Sequence, residues 1–374
     1  MITNLLKIIS CVIGVSVWVG VMWDGFATIV LPRTVSPMWR LSGRFNKLSW
    51  RLWAAAGRRI RDPERCLNFL AIYGPVSVMF LLILWASLVI FAFTFIDYSL
   101  GSQFETTAGP VRFGGLLYMS ASTFLTLGLG DVTSAHPFDR FLVIIEAATG
   151  FIFLGLIITY MPLLDQAYSA REVGNTLIHS RAGSPPTAIR FLHHYSDTHH
   201  TEILRGNLRE GERWMADMLQ SHLSHPVLSF YRAQHFGQSW LVSLATVMDT
   251  CALLIVGGEG LPKEQARLTY RMGLRLLADL AHALAISVEP PARPRLTEAD
   301  LPGIRTALTG AGLALTFGPA EGTELLRLND RYDIYLQVLS TWLLIPLPPW
   351  IPPQENLEES RTWKIPGASD PINV

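Results

Sequence analysis

The sequence predicts an all-α membrane protein with three transmembrane helices, a re-entrant half-span between the last two, and a soluble helical bundle after them. Apolar runs long enough to cross a bilayer are confined to the first 164 positions. A shorter apolar run among them ends in a glycine-rich turn, and the remainder shows helical periodicity with few strand signals. Of 374 residues, half are hydrophobic and 16% charged, which puts a membrane class first. Formal net charge is zero, so whole-molecule charge gives no reason to invoke nucleic acid or another polyanion.

The first element, residues 1–32, holds the run Leu5 to Leu31. Lys7 ahead of it superficially suits a secretory signal, but the run is too long and no small-x-small cleavage site follows, so a retained span is expected. Residues 33–67 form a basic linker, with Arg33, Arg40, Arg44, Lys47, Arg51, Arg58, Arg59, Arg61 and Arg65 against Asp62 and Glu64. The positive-inside rule places it in the cytoplasm. Trp39, Phe45, Leu48, Trp50, Leu52 and Trp53 interleave with those bases, predicting an amphipathic helix on the inner membrane surface.

Residues 68–165 carry two more spans, Phe69 to Ile96 and Phe138 to Leu164, each with the roughly 20 apolar residues a crossing helix needs. Between them, Asp97 to Arg112 is poor in bases and therefore external, and Phe113 to Leu125 is apolar but too short to span. The N-terminus is then outside and everything after Leu164 inside. Residues 166–345 read as a helical domain, with Trp214, Met218, Leu219, His222 and Leu223 at helical spacing, then Leu241, Leu244, Met248 and Leu253. Breaks are expected at Gly183-Ser184-Pro185-Pro186, at Gly257-Gly258-Glu259-Gly260 ahead of a helix near Pro262, and at Pro290 to Pro294. Thr297 with Asp300 forms a capping pattern, Glu321 to Leu344 reads as a helix, and residues 346–374 as an extended, poorly ordered proline-rich tail.

No nucleophile elbow, HExxH, P-loop or dinucleotide fingerprint appears, so an enzyme is not expected and no cofactor is implied. Cys11, Cys66 and Cys251 have no metal-ligand spacing. His193-His194, His199-His200, His222 and His225 invite a metal, but nothing completes a recognised set, and a solvated or interfacial cluster is the expectation. The helical domain is read as a regulatory or assembly module whose effector the sequence does not name.

The turn Thr126-Leu127-Gly128-Leu129-Gly130-Asp131 is the chemically distinctive segment. Lipid cannot solvate exposed carbonyls, so irregular backbone at membrane depth survives only where it lines an aqueous path. Its glycines admit conformations that aim successive carbonyls at one axis, where rings of oxygen can replace a cation's water shell. The negative end of the preceding short helix favours a cation below.

These six residues resemble the potassium-channel signature Thr-x-Gly-Tyr/Phe-Gly-Asp. The resemblance extends over about Phe69 to Leu164, because Gly150 follows Asp131 by nineteen positions, the spacing of the hinge glycine in two-helix bacterial potassium channels. It implies a homotetramer in a lipid membrane with K+ as the permeant ion. Carbonyls of Thr126, Leu127, Gly128 and Leu129 would coordinate it, and Asp131 would sit at the outer mouth. Tyr118 takes a position where that family often has tryptophan, and Ser122 one where some members have a glutamate holding the filter aspartate. With Thr123 and Glu146 these are the expected filter supports. Leu129 departs from the aromatic and has no hydroxyl to bond the pore helix.

Gly150 and Pro162 are the expected gating positions, each with a plainer alternative: close packing for Gly150, a helix terminus for Pro162. Glu146, a carboxylate inside a span, is expected to bond Ser122 or Tyr118, either as a filter support and proton sensor or as a structural bond. Asp24 is expected to anchor by pairing with Arg33 or a neighbouring arginine. Two other functions stay open, a weakly selective cation channel and a membrane-tethered signalling or metal-dependent enzyme with a vestigial pore. The compact layout suggests a prokaryotic inner membrane.

Overall fold

The computed structural model describes residues 2–31, 40–102, 104–106, 109–134, 136–183, 186–195, 201–233, 238–257, 262–291, 293–310, 318–351, 362–363 and 372–373. Arg33 and Trp39, His199-His200, Ser184-Pro185, Gly258-Glu259-Gly260 and most of the C-terminal tail lie outside the described residues. The chain divides into two compact units, Met1–Trp53 with Pro75–Asp165 and Ala54–Gly74 with Gln166–Val374.

Among the described residues, the first unit is helical apart from one small sheet. Helix α1 (Ile2–Ile29), most of α2 (Leu41–Gly57), and long stretches of α3 (Pro63–Leu100) and α5 (Pro137–Ala182) build it, with α4 (Phe113–Phe124) between the last two. Among the described residues, three helices are long and apolar enough to cross a membrane: Leu5–Ile29, Pro63–Leu100 and Pro137–Ala182. The last, at 46 residues, is about 69 Å long, more than twice the hydrocarbon thickness. The expected close of this helix at Pro162 and Leu164 does not occur. Pro162 forfeits one backbone bond, but the residues beyond it continue as helix because they pack in the second unit.

Helix α1 approaches α3 where Gly14 leaves room for Ala92 and Ile96, and Trp18 meets Phe93 edge-on at 5.5 Å. Asp24 is buried at the end of this contact. Its carboxylate accepts from Trp85 Nε1 (2.9 Å), Ser42 N (3.0 Å) and Ser42 Oγ (3.1 Å), joining α1, α2 and α3. Arg40 donates to Ala27 O and Thr28 Oγ1, both at 2.8 Å, and so caps the end of α1. The expected anchor is therefore made chiefly by donors on α2 and α3. Each charge-assisted bond of this kind is worth ~1.5–3 kcal/mol, enough to offset part of the cost of burying a carboxylate.

The sheet has the order β2-β1-β3, with β1 Phe104–Thr106, β2 Gly109–Pro110 and β3 Val132–Ser134, all antiparallel. Its longer ladder pairs Phe104 with Ser134, Glu105 with Thr133 and Thr106 with Val132. Phe104, Leu116 and Val132 form a small core with Val111, Met119 and Val143.

In the second unit α8 (Trp240–Val256), mostly apolar and buried along almost its whole length, is enclosed by α6 (Ala188–His193), α7 (Thr201–Ser224), α9 (Lys263–Ala283) and α11 (Pro319–Leu343), with α10 (Leu301–Gly310) following α9 in the chain. The final stretch of α5 is a core member. Arg171, fully buried, donates to Leu228 O (2.8 Å) and Tyr231 O (2.9 Å) and pairs with Glu172 at 2.9 Å. Trp214 Nε1 donates to Arg171 O at 2.9 Å, and Gly174 leaves space for that indole.

A second buried polar group holds the later segments. Asp249 accepts from Tyr332 Oη and Arg295 Nη2, both at 2.6 Å, while Arg295 Nη1 reaches Asp333 at 3.3 Å and Nη2 reaches Pro348 O at 3.2 Å. The start of the proline-rich tail is thereby packed, with Ile345 and Trp350 buried.

Candidate functional site

Helix α4 is short because both ends are set locally. Phe113 at its start rests on Phe95 and Tyr98 of α3, at 5.9 and 6.0 Å between ring centres. Its buried face carries Leu116, Ser120, Thr123 and Phe124, and Phe124 packs on Phe153 of α5 at 5.6 Å. The helix ends in a Schellman arrangement: Leu127 N donates to Ser122 O at 2.8 Å and Thr126 N to Thr123 O at 3.0 Å. Ser122 and Thr123, expected as filter supports, contribute their carbonyls to this helix end.

Thr126 closes that arrangement with φ +56°, and the left-handed sense recurs at Gly128 (+58°) and Gly130 (+77°). For a threonine this costs roughly 1–2 kcal/mol, which the two terminating bonds offset. At Gly128 and Gly130 an added Cβ would touch nothing within 4 Å, so glycine is needed there for conformation, not for space. In an ordinary strand successive carbonyls point to opposite sides, and reversing the sign of φ at every second residue turns them to one side. Leu127 and Leu129 are 59% and 64% exposed, large apolar side chains left uncovered by their own chain.

Asp131 follows, its carboxylate hydrogen-bonded to the Tyr118 hydroxyl of α4. This contact joins α4 to the far end of the turn, past Leu129, whose side chain has no hydroxyl. Val132 then enters β3, so the turn is held by α4 on one side and by the sheet on the other.

Behind α4, Glu146 of α5 is 2% exposed and contacts Ser120 Oγ, which is also 2.9 Å from Ile90 O of α3. The expected partners Ser122 and Tyr118 are not the ones it meets, because α4 turns Ser120, on the stripe of Leu116 and Thr123, toward α5. Ser120 escaped sequence reasoning, yet a hydroxyl on the buried stripe of an apolar half-helix was its signal. Gly150 lies where α5 crosses the last turn of α4, and a Cβ there would collide with the Phe124 carbonyl. Close approach is the structural demand at this position. Pro162 lies inside α5, far from the turn.

Among the described residues no group of three or more His, Cys, Asp or Glu could hold a metal ion. His222 is buried in the second unit, its Nδ1 2.9 Å from Met218 O; burial, and then the neighbouring Arg171 charge, lower its pKa well below the usual 6.5.

Residues 78–162, from within α3 to Pro162 of α5, match the family model described as Ion channel. The matched stretch contains α4, the turn, Glu146 and Gly150, and it supports an ion-channel function. No curated protein and no solved structure matches the chain.

Proposed function

We propose that this chain is one subunit of a homotetrameric, potassium-selective channel, passive in conduction, with Thr126 to Asp131 as its filter. The observation that carries the reading is the left-handed backbone at every second residue, Thr126, Gly128 and Gly130. Four such turns about one axis would stack rings of carbonyl oxygen that replace an ion's hydration shell. The exposed Leu127 and Leu129 side chains would be covered by neighbouring copies. Asp97 to Arg112 and the filter mouth would face outward. The basic residues of α2 and the second unit would lie in the cytoplasm, in keeping with the positive-inside rule. The second unit would bias opening, and any effector there must bind open and closed states unequally.

The Tyr118 to Asp131 bond favours selectivity, because it ties the outer end of the turn to α4 without needing a hydroxyl at Leu129. A weakly selective cation channel is the second reading, favoured by Leu129 itself. Purified protein in liposomes under a potassium gradient, with sodium then substituted, separates the two. Selective potassium flux is expected from the parent, and loss of selectivity with retained tetramers from Gly128→Ala, whose methyl strains a left-handed residue but leaves helix packing alone. Unchanged selectivity in that variant would overturn the filter assignment.

A further inference from the structure

Ser120 is 1% exposed, and its single hydroxyl lies between two oxygens, the Ile90 carbonyl of α3 at 2.9 Å and Glu146 Oε1 of α5. A serine hydroxyl has one proton to give and can accept in return. A main-chain carbonyl can only accept, so a full bond to Ile90 O uses the proton of Ser120. The contact between Ser120 and Glu146 then needs a proton from the other side, and the carboxyl is the one group in it that can carry one.

The surroundings argue in the same direction. Glu146 is buried within a membrane-crossing helix, where an ionised carboxylate lacking a cation is expensive. From α3 the ionisable group acting on it is Asp97, another acid, and Asp97 is in turn coupled to Asp139, two turns earlier on α5. From α4 it meets the Ser120 hydroxyl. Ionising Glu146 would add negative charge where its acidic neighbour already opposes it.

The geometry points to Glu146 as a positioning residue of the pore, held as a neutral carboxylic acid whose proton bonds Ser120 and so fastens the filter helix α4 to α5. This rests on the channel reading for its consequence, though not for the proton itself. With that proton present, α3, α4 and α5 are joined through one hydroxyl, directly behind the helix whose last turn sets Thr126. With it removed, Ser120 can give its one proton to the Glu146 carboxylate or to Ile90 O but not to both, so α4 keeps only one of its two ties. Ionisation at alkaline pH therefore loosens the filter.

The full-length protein in lipid is compared with Glu146→Gln, whose amide keeps a donor in the same place, and with Glu146→Ala, which keeps none. Infrared spectra of the parent at neutral pH are expected to show the carbonyl stretch of a buried, protonated carboxyl that both variants lack and Ser120→Ala shifts. In mixed potassium and sodium, Glu146→Gln is expected to hold the parent's reversal potential and lose the parent's alkaline decline. Glu146→Ala is expected to lower the permeability ratio about tenfold, the equivalent of one buried hydrogen bond. An unchanged protonated-carboxyl band in Glu146→Gln, or no such band in the parent at neutral pH, overturns the proposal. The band can be read even from protein that carries no flux, so failure of the channel reading is distinguishable from failure of this one.

Discussion

Replacing Gly150 by alanine separates a hinge from a point of close approach. A Cβ at Gly150 would overlap the Phe124 carbonyl oxygen and stand 2.9 Å from its carbon and 3.1 Å from the Phe124 Cα. These are backbone atoms of the turn that ends α4, so no side chain can rotate away. Over-packing of this kind costs ~1–3 kcal/mol, against which alanine regains up to ~1 kcal/mol of helix propensity. Before that offset, the ratio of ordered to displaced α4 would fall about 5- to 150-fold. Because Thr126 and Leu127 take their geometry from the carbonyls of Thr123 and Ser122, the displacement should reach the filter as lost ion selectivity. Reversal potentials in mixed salts, together with thermal unfolding, measure both effects. Gly155→Ala is the control, since a Cβ there meets nothing within 4 Å. A Gly150→Ala protein that keeps its selectivity and stability and changes only its opening would refute the close-approach reasoning and leave the hinge.

Tyr118→Phe should keep assembly intact and move the reversal potential toward that of sodium, because it removes the hydroxyl bonded to Asp131; an unmoved potential would show that this bond does not serve selectivity. Arg295→Ala should destabilise the second unit by ~3–5 kcal/mol, as it leaves Asp249 and Asp333 buried without their cation, and a fall of under ~1 kcal/mol in denaturant titration would contradict this. Stability should also follow pH through His222. The folded protein keeps this ring neutral while the unfolded chain protonates it below about 6.5, so the unfolded state binds more protons there. Its contribution is complete above that pH and declines by up to ~1.4 kcal/mol per unit as the pH falls, and His222→Gln should flatten the acid side of the melting profile.

The membrane helices were legible because crossing a bilayer demands a length and composition that few other structures share, and the short α4 because it fails that length. The turn was legible from its glycines, whose positive φ values are confirmed at Gly128 and Gly130 but could not be foreseen at Thr126. That threonine takes its conformation from the end of α4, a tertiary circumstance without a residue code. The continuation of α5 beyond Pro162 was hidden because a proline inside a helix and one at its end read alike until Arg171 and Trp214 are placed. The sheet was missed because strands as short as Phe104–Thr106 and Val132–Ser134 show no periodicity. Likewise, Glu146 is expected from the sequence to bond Ser122 or Tyr118, and only the crossing of α4 by α5 identifies Ser120 as its partner.

The ladder between β1 and β3 has a mechanical consequence. It makes the residues ahead of α4 and those after the turn hydrogen-bonded neighbours, Thr106 beside Val132, so the intervening chain is a lasso with its knot at the sheet. Drawing the turn away from the sheet would require unzipping that knot. On the proposed channel reading, changes at Phe104 or Val132 should therefore tighten or slacken the turn from its base.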